Sequence, residues 1–215
     1  MTMHPADVTL QQSFPSIMVP RLSTLEPMTR AGERLLIAAN GVFLEITRPW
    51  LKVVRRLGGF QHRTTIPYGN ASEETDLLCG RIPARLIGEF AEMARTAYPK
   101  ETGAWVVWNT TSQAFRLVPV QILEHSAGHL KYDRPALADD DVLVVDCHSH
   151  GRSPAYFSST DDVDDQHDVK FAFVLGNCAA PVPSMALRLC AKGIFEAVES
   201  VPAEWYAAAS LEVVS

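Results

Sequence analysis

The fold of this chain is decided by the stretch Val142–His150, VLVVDCHSH. Its first four residues are apolar and mostly β-branched, which is typical of a buried strand. Residues two apart on a strand share a face, so His148 and His150 point to the same side, with Cα atoms roughly 6.5 Å apart. The stretch therefore predicts a buried strand that ends in two side chains suited to metal binding.

Ser158 and Asp161 follow at a defined distance, and the whole reads His-x-His-x7-Ser-x-x-Asp. Zinc accepts imidazole nitrogen and carboxylate oxygen, and a catalytic zinc keeps three protein ligands and one exchangeable position. We predict a Zn²⁺ site whose ligands are His148, His150 and Asp161.

Structural explanations stand beside this hypothesis. The two histidines could simply hydrogen-bond to each other at a strand end, and Ser158 and Asp161 suit the start of a helix, where hydroxyl and carboxylate groups cap free N–H groups. Capping and metal binding are compatible, since a ligand in the first turn of a helix is held at a defined angle. Two imidazoles and a carboxylate brought together without a cation would cost several kcal/mol in lost hydration.

These residues resemble the JAMM/MPN+ zinc metalloproteases, the family that includes the prokaryotic JAB domains. Its signature is an upstream Glu followed by His-[Ser/Thr]-His-x7-Ser-x-x-Asp, and the second part matches residue for residue. The resemblance implies that His148, His150 and Asp161 bind zinc and that Ser158 helps to hold an oxyanion. It also implies an α/β (α+β) fold with a curved mixed β-sheet flanked by helices. One departure is Gly151, where most members have Pro.

The family places its catalytic Glu on the first strand of the domain, after an amphipathic helix. Here a helical pattern of apolar residues ends at Pro99, and Glu101-Thr102-Gly103 leads into an apolar run. The resemblance thus implies that Glu101 is the general base. On spacing alone, a solvated carboxylate beside Lys100 is the better interpretation of Glu101.

Two functions from different classes follow. The first is a zinc-dependent hydrolase that cleaves a peptide or isopeptide bond, with Glu101 moving the proton and Ser158 donating to the oxyanion. The alternative is a non-catalytic scaffold or binding module of the MPN type.

Composition supports a globular protein. The chain has 215 residues, 47% of them hydrophobic and 20% charged, with a net charge of −6. The acidic balance argues against a surface that follows nucleic-acid phosphates. Four cysteines without framework spacing are typical of reduced thiols, and we find neither a signal-peptide pattern nor a run of 18 apolar residues. We therefore expect a cytoplasmic protein with no direct nucleic-acid partner and no membrane association.

The chain is predicted to divide near residue 80, into residues 1–80 and a JAMM/MPN-like metalloprotease domain, residues 81–215. Several prolines in the first thirty residues predict an extended arm. A small β-rich segment follows, in which Asn40-Gly41 between two apolar runs is a strong hairpin signal.

In the second part, periodicity predicts two helices, 83–98 and one from Thr160, and five strands: 104–109, 115–123, 142–147, 170–175 and 185–190. The residues between 123 and 142 are predicted to be irregular, and His125 and His129 are interpreted as surface or loop histidines. The acidic run 161–168 is interpreted as a solvated helix face.

The N-terminal part carries a second resemblance. Its runs Gly32–Leu36, Arg48–Leu51 and Ile66–Gly69 are similar to the PRTRC system protein A group, bacterial proteins encoded in cassettes with a ThiF-like activating enzyme and a small ubiquitin-like protein. The resemblance implies a ubiquitin-like protein or its conjugate as substrate, cleaved at its C-terminal tail, and a ThiF-like enzyme as a possible partner.

Overall fold

The chain folds into two compact units, Met1–Arg81 and Ile82–Ser215. The structure is a computed structural model and describes residues 3–62 and 64–211. Within these ranges, no helix has the length and apolar character needed to cross a membrane.

The N-terminal unit is a five-stranded sheet preceded by a helix. Its elements are α1 Pro5–Ser13, β1 Ser16–Met18, β2 Gly32–Ala38, β3 Gly41–Arg48, β4 Leu51–Gly58 and β5 Glu74–Leu77. The strands lie in chain order, with β1 parallel to β2 and the other neighbours antiparallel. The predicted Asn40-Gly41 hairpin joins β2 to β3, which confirms the small N-terminal β-rich segment.

The prediction of an extended arm over the first thirty residues is wrong for α1. This helix has no buried residue, so it lacks the apolar stripe by which a helix is recognised in a sequence. Neighbouring residues stabilise the start of the helix: Pro5 occupies the first helical turn, and His4 Nδ1 accepts a hydrogen bond from the Ala6 amide.

Between residues 82 and 211, the part of the second unit that the structure describes, there are three helices and eight strands. In chain order they are α2 Ala84–Ala97, β6 Gly103–Asn109, β7 Phe115–Pro119, β8 Gln121–Ser126, β9 His129–Asp133, β10 Asp141–Ser149, α3 Ser159–Asp165, β11 Val169–Gly176, β12 Ser184–Ala191, β13 Ile194–Ala197 and α4 Ala203–Ala209. Six of the strands form one sheet in the order β13-β12-β11-β10-β6-β7. Only β10 and β11 are parallel neighbours in it, so the sheet is mixed and the predicted α/β (α+β) class is confirmed.

Two helices cover one face of this sheet. Phe173 of β11 packs edge-to-face against Phe90 of α2, at 6.2 Å between ring centroids, and against Trp205 of α4, at 5.5 Å. The helices approach so closely that a Cβ on Gly88 of α2 would lie 2.8 Å from the carbonyl oxygen of Ala208. Because side chains alternate along β10, Val145 and Cys147 belong to this covered face, and Asp146 and His148 point to the other.

The region between residues 115 and 142 differs from the prediction. The expected strand 115–123 ends at Pro119, which lacks the N–H needed to continue the ladder. The chain then forms β8 and β9, a separate two-stranded hairpin. Its core contact is a small apolar cluster on the open side of the sheet, built around Trp105, Val107 and Val120.

Candidate metal centre

Strand β10 brings the two histidines to one point. It is held by β6 on one side and β11 on the other, and His148 pairs with Gly103 and Val174. His150 follows the last residue of the strand, and its amide donates to the carbonyl of Leu175. The Nε2 atoms of His148 and His150 lie 3.1 Å apart, so both rings present the same nitrogen to one space.

The second nitrogen of His150 fixes its tautomer. Nδ1 lies 3.2 Å from the carbonyl oxygen of Pro154, which can only accept, so Nδ1 carries a proton and Nε2 is the ring nitrogen that faces His148. The ring of Tyr156 packs edge-on against His150 at 4.5 Å between centroids. His150 is thereby oriented as a metal-ligating histidine usually is, with a backbone carbonyl behind it.

Helix α3 delivers Asp161 to the same space. Ser158 caps the helix in a capping box: its hydroxyl and amide donate to Asp161 Oδ2 at 2.7 and 2.6 Å, and the Asp161 amide donates back to the hydroxyl. The other carboxylate oxygen, Oδ1, lies 3.6 Å from His148 Nε2. The cap therefore uses one oxygen of Asp161 and leaves the other directed at the histidines.

The proton affinities of these groups favour the ligand forms. Burial lowers the pKa of His148, and the neighbouring His150 acts in the same direction, so the ring is neutral at pH 7. Burial alone would raise the pKa of Asp161, but the positive charge of His148 in its protonated form and the hydrogen bonds from Ser158 outweigh it and lower the pKa below its usual value. Neutral imidazoles and an ionised carboxylate are the forms that bind zinc.

Glu101 lies just before β6 and is 8% exposed. Its amide donates to the carbonyl of Ser126 at 2.8 Å, and its carbonyl accepts from His125 Nδ1 at 2.9 Å, so β8 holds both backbone polar groups. Burial, together with the negative charge of Asp161, raises the pKa of the Glu101 carboxyl to about 7. His125 is thus a half-buried hydrogen-bonding residue of β8, and its interpretation as a surface or loop histidine is wrong.

Ser149 connects the Glu101 segment to the histidines, a contact that sequence analysis did not find. Its hydroxyl accepts from the Thr102 amide at 3.0 Å, and its amide donates to the Thr102 carbonyl at 2.9 Å. Ser149 is fully buried. The residue between the two histidines therefore fixes the chain on which Glu101 lies.

The backbone conformation at residue 151 explains why this chain has Gly where the resembled family has Pro. Its φ of +51° lies in the left-handed region, which Pro cannot adopt, and a Cβ there would lie 2.4 Å from the carbonyl oxygen of Pro99. The backbone at Gly151 therefore cannot accommodate the Pro that the resembled family has there.

Comparison with known families shows where the chain belongs. A model of prokaryotic homologs of the JAB domain matches residues 83–190. The chain belongs to the prokaryotic JAB family. This confirms the resemblance to the JAMM/MPN proteins. A domain of unknown function, DUF2016, matches residues 4–78.

The chain is also similar to a solved structure, protein DSY2949 from Desulfitobacterium hafniense, with 19% identity, a TM-score of 0.41 and coverage of 54% of this chain and 88% of that one. No curated protein matches the chain significantly.

The donor set of the JAB domain fits a zinc ion. The donor atoms of His148, His150 and Asp161 all lie within 4.8 Å of one another. Zinc–ligand bonds of about 2.0–2.1 Å in a tetrahedral arrangement separate neighbouring donors by roughly 3.3 Å. The observed separations of 3.1 and 3.6 Å bracket that value.

A groove of about 600 Å³ runs past this centre in the JAB domain. One wall is the β8–β9 hairpin, from Gly128 to Tyr132, and the other contains Tyr156 and α3. Glu101, His148, His150, Ser158 and Asp161 all line it. The structure thus brings all five predicted site residues to one groove.

A second charged cluster lies beside the groove, and its members Asp146, Asp165 and Lys170 line it. Lys170 Nζ lies 2.6 Å from Asp146 and 2.7 Å from Asp165, and Arg188 bonds to Asp165 at 2.8 Å. Asp165 is 6% exposed, so the interpretation of the acidic run 161–168 as a solvated helix face is wrong at this residue. The sequence gives only a weak signal for this cluster. Lys170 and Arg188 each stand in an apolar strand and Asp165 stands in an acidic run, and only the fold brings them together.

Proposed function

We propose that the JAB domain is a zinc-dependent hydrolase that cleaves a peptide or isopeptide bond. The observation that carries the proposal is the convergence of two imidazole nitrogens and one carboxylate oxygen beside a buried glutamate, in an open groove. Such a set of donors, with an acid–base group next to it, is typical of metal-assisted hydrolysis.

His148, His150 and Asp161 are the residues that would hold zinc. When bound, a zinc ion supplies Lewis acidity, which makes a water molecule more acidic and a carbonyl carbon more electrophilic. Pro154 and Ser158 orient two of these ligands: the Pro154 carbonyl accepts a hydrogen bond from the His150 ring, and the Ser158 hydroxyl donates one to the Asp161 carboxylate.

Glu101 is the proposed general base. It accepts a proton from the attacking water and returns it to the leaving amine. Its raised pKa, about 7, suits a group that must both take and release a proton near neutral pH. The hydrogen bonds from His125 and to Ser126 hold its backbone, so its carboxylate enters the groove from a fixed position.

Ser158 is proposed to donate a hydrogen bond to the oxyanion that forms on the carbonyl oxygen. Its hydroxyl donates a hydrogen bond to Asp161 Oδ2 in this structure, with Oγ 2.7 Å from that oxygen. The role therefore requires the hydroxyl to rotate toward the groove during the reaction.

The proposed substrate is a ubiquitin-like protein or its conjugate, cleaved near the C-terminal tail of the modifier. The resemblance of the N-terminal residues to the PRTRC system protein A group supports this choice, and it also makes a ThiF-like activating enzyme a possible partner. The groove of about 600 Å³, which is open to solvent beside the proposed metal site, supports a peptide chain as the substrate.

The test is cleavage of a ubiquitin-like protein from that cassette that carries a short C-terminal extension. We expect chelator-sensitive loss of the extension, with Glu101→Gln retaining one zinc per chain and cleaving about 10²- to 10⁴-fold more slowly. Glu124→Gln, which changes an exposed carboxylate on β8, is the matched control and should cleave at the wild-type rate.

Two results would contradict the proposal. A purified protein that holds no zinc and takes up none on reconstitution would favour the non-catalytic scaffold. If Glu101→Gln cleaves as fast as the wild type with its metal in place, Glu101 is not the base.

A further inference from the structure

Helix α3, which carries Asp161, has no apolar face by which to pack. Val163, its only large apolar residue, is 63% exposed, and Asp165 is its only buried side chain. A seven-residue helix is not stable by itself. Its position on the sheet must therefore come from polar contacts.

Arg188 of β12 makes the largest set of these contacts. Its guanidinium forms ion pairs with Asp162 and with Asp165, the latter at 2.8 Å. It is stacked between the rings of Phe157 and Phe195, at 4.1 and 4.3 Å from their centroids. The two rings thus fix the plane of the guanidinium, and its N–H groups are directed at the carboxylates of the helix.

The contacts of Arg188 lie on both sides of the metal ligand. Phe157 comes directly before Ser158, which caps the helix, and Asp165 lies one turn after Asp161. Residues four apart occupy the same side of a helix. Fixing Phe157 and Asp165 therefore fixes both the height and the rotation of the turn that carries Asp161.

Lys170 of β11 makes a further contact that holds α3 on the sheet. Its ammonium lies 2.7 Å from Asp165 Oδ1, while Arg188 bonds to Oδ2 of the same carboxylate. Asp165 is therefore held by cations from two neighbouring strands. Hydrogen bonds between charged groups are directional, whereas an apolar contact would allow the helix to slide.

We propose that Arg188 is a positioning residue for the metal centre: by docking α3 on the sheet, it sets the Asp161 carboxylate relative to His148 and His150. This inference rests on the proposed metal site. Because Asp161 is one of three ligands, a small displacement of α3 opens the site and weakens it, although Arg188 touches neither metal nor substrate.

The experiment measures zinc affinity, by competition with a chromophoric chelator, and the visible spectrum of the Co²⁺-loaded protein. Arg188→Met should weaken zinc binding about 10- to 100-fold, as the loss of groups that orient metal ligands does. The Co²⁺ bands should also change in intensity, because the ligand geometry relaxes. Arg188→Lys keeps the charge but loses the fork, and it should recover part of the affinity.

Two further variants complete the design. Arg116→Met removes a cation that pairs with Asp141 at the far end of β10, and it should bind zinc within twofold of the wild type. Asp162→Asn removes only the half-exposed contact of Arg188, so it tests the docking with little risk to folding; a severalfold loss of affinity is expected.

The results distinguish a wrong role for Arg188 from a wrong metal site. A folded Arg188→Met with wild-type zinc affinity and Co²⁺ spectrum would overturn the inference, whatever its thermal stability in chelator. If that variant does not fold, wild-type values for both Arg188→Lys and Asp162→Asn would overturn it equally. His148→Ala should lose the metal; if it does not, the proposed metal site itself is wrong.

Discussion

Two clusters of ionisable side chains each contribute residues to the same groove of the JAB domain, and they differ in how their charges are balanced. In the ion-pair cluster, Lys170 and Arg188 face Asp146, Asp162 and Asp165, and each cation contacts two or more carboxylates. In the metal cluster, two imidazoles, Asp161 and Glu101 meet. The first cluster is neutralised by its own counter-charges. The second brings the donor atoms of three potential metal ligands together.

The pKa values follow the same division. Burial opposes the charge of Lys170, yet the carboxylates of Asp146 and Asp165 outweigh burial and raise its pKa above the usual value. Burial also opposes the charge of Glu101, and the negative charge of Asp161 acts in the same direction, so the pKa of Glu101 rises. The first cluster thus contributes to stability, whereas the second is held ready for a ligand at some cost in stability.

The largest effect that distinguishes the clusters is expected for Lys170→Met. It leaves Asp146 and Asp165 buried without the ammonium, which costs about 3–5 kcal/mol for a broken buried ion pair. The free energy of unfolding, measured with urea in the presence of chelator, should fall by that amount. His148→Gln removes a group of the metal cluster from the same sheet face and should change the chelated protein by less than about 1 kcal/mol. Equal losses in both variants would erase the distinction.

The sequence predicts those parts of the JAB domain whose signal is local. Apolar β-branched runs predict β6, β10 and β11, and the apolar stripe that ends before Pro99 predicts α2. The spacing of His148, His150 and Asp161 predicts their convergence because a strand and a capped helix turn have fixed geometry. The ion-pair cluster joins side chains from α3, β10, β11 and β12, and nothing within any of these segments indicates its partner. Hairpin β8–β9 was missed because β9 pairs with β8 alone and is largely exposed.

A second, smaller effect concerns Glu101 in the metal-free protein. Its pKa is raised in the folded state from 4.5 to about 7, so its ionisation destabilises the fold as the pH rises through this interval. At about 1.4 kcal/mol per pKa unit, the loss is at most about 3.5 kcal/mol. Glu101→Gln cannot ionise, so in chelator its stability relative to the wild type should increase between pH 4.5 and 7 and stay constant above.

Unfolding curves at half-unit pH steps would measure this difference. Zinc should reduce it, because a nearby cation stabilises the ionised glutamate of the wild type. A difference that does not depend on pH would mean that Glu101 titrates like an exposed carboxylate and does not belong to the metal cluster.

The smallest expected effect lies in the loop that runs from the metal cluster to α3. Gly151→Ala places a side chain at a φ of +51° and against the Pro99 carbonyl, which should cost about 1–2 kcal/mol. Gly193→Ala is the matched control, since its φ is +88° but its Cβ would meet only the Gln166 carbonyl oxygen, at 3.7 Å. Both variants should lose some stability, but only Gly151→Ala should also weaken zinc binding, because the strain falls between His150 and Asp161. If both bind zinc like the wild type, the turn at Gly151 does not set the distance between these ligands, and the docking of α3 on the sheet must set it alone.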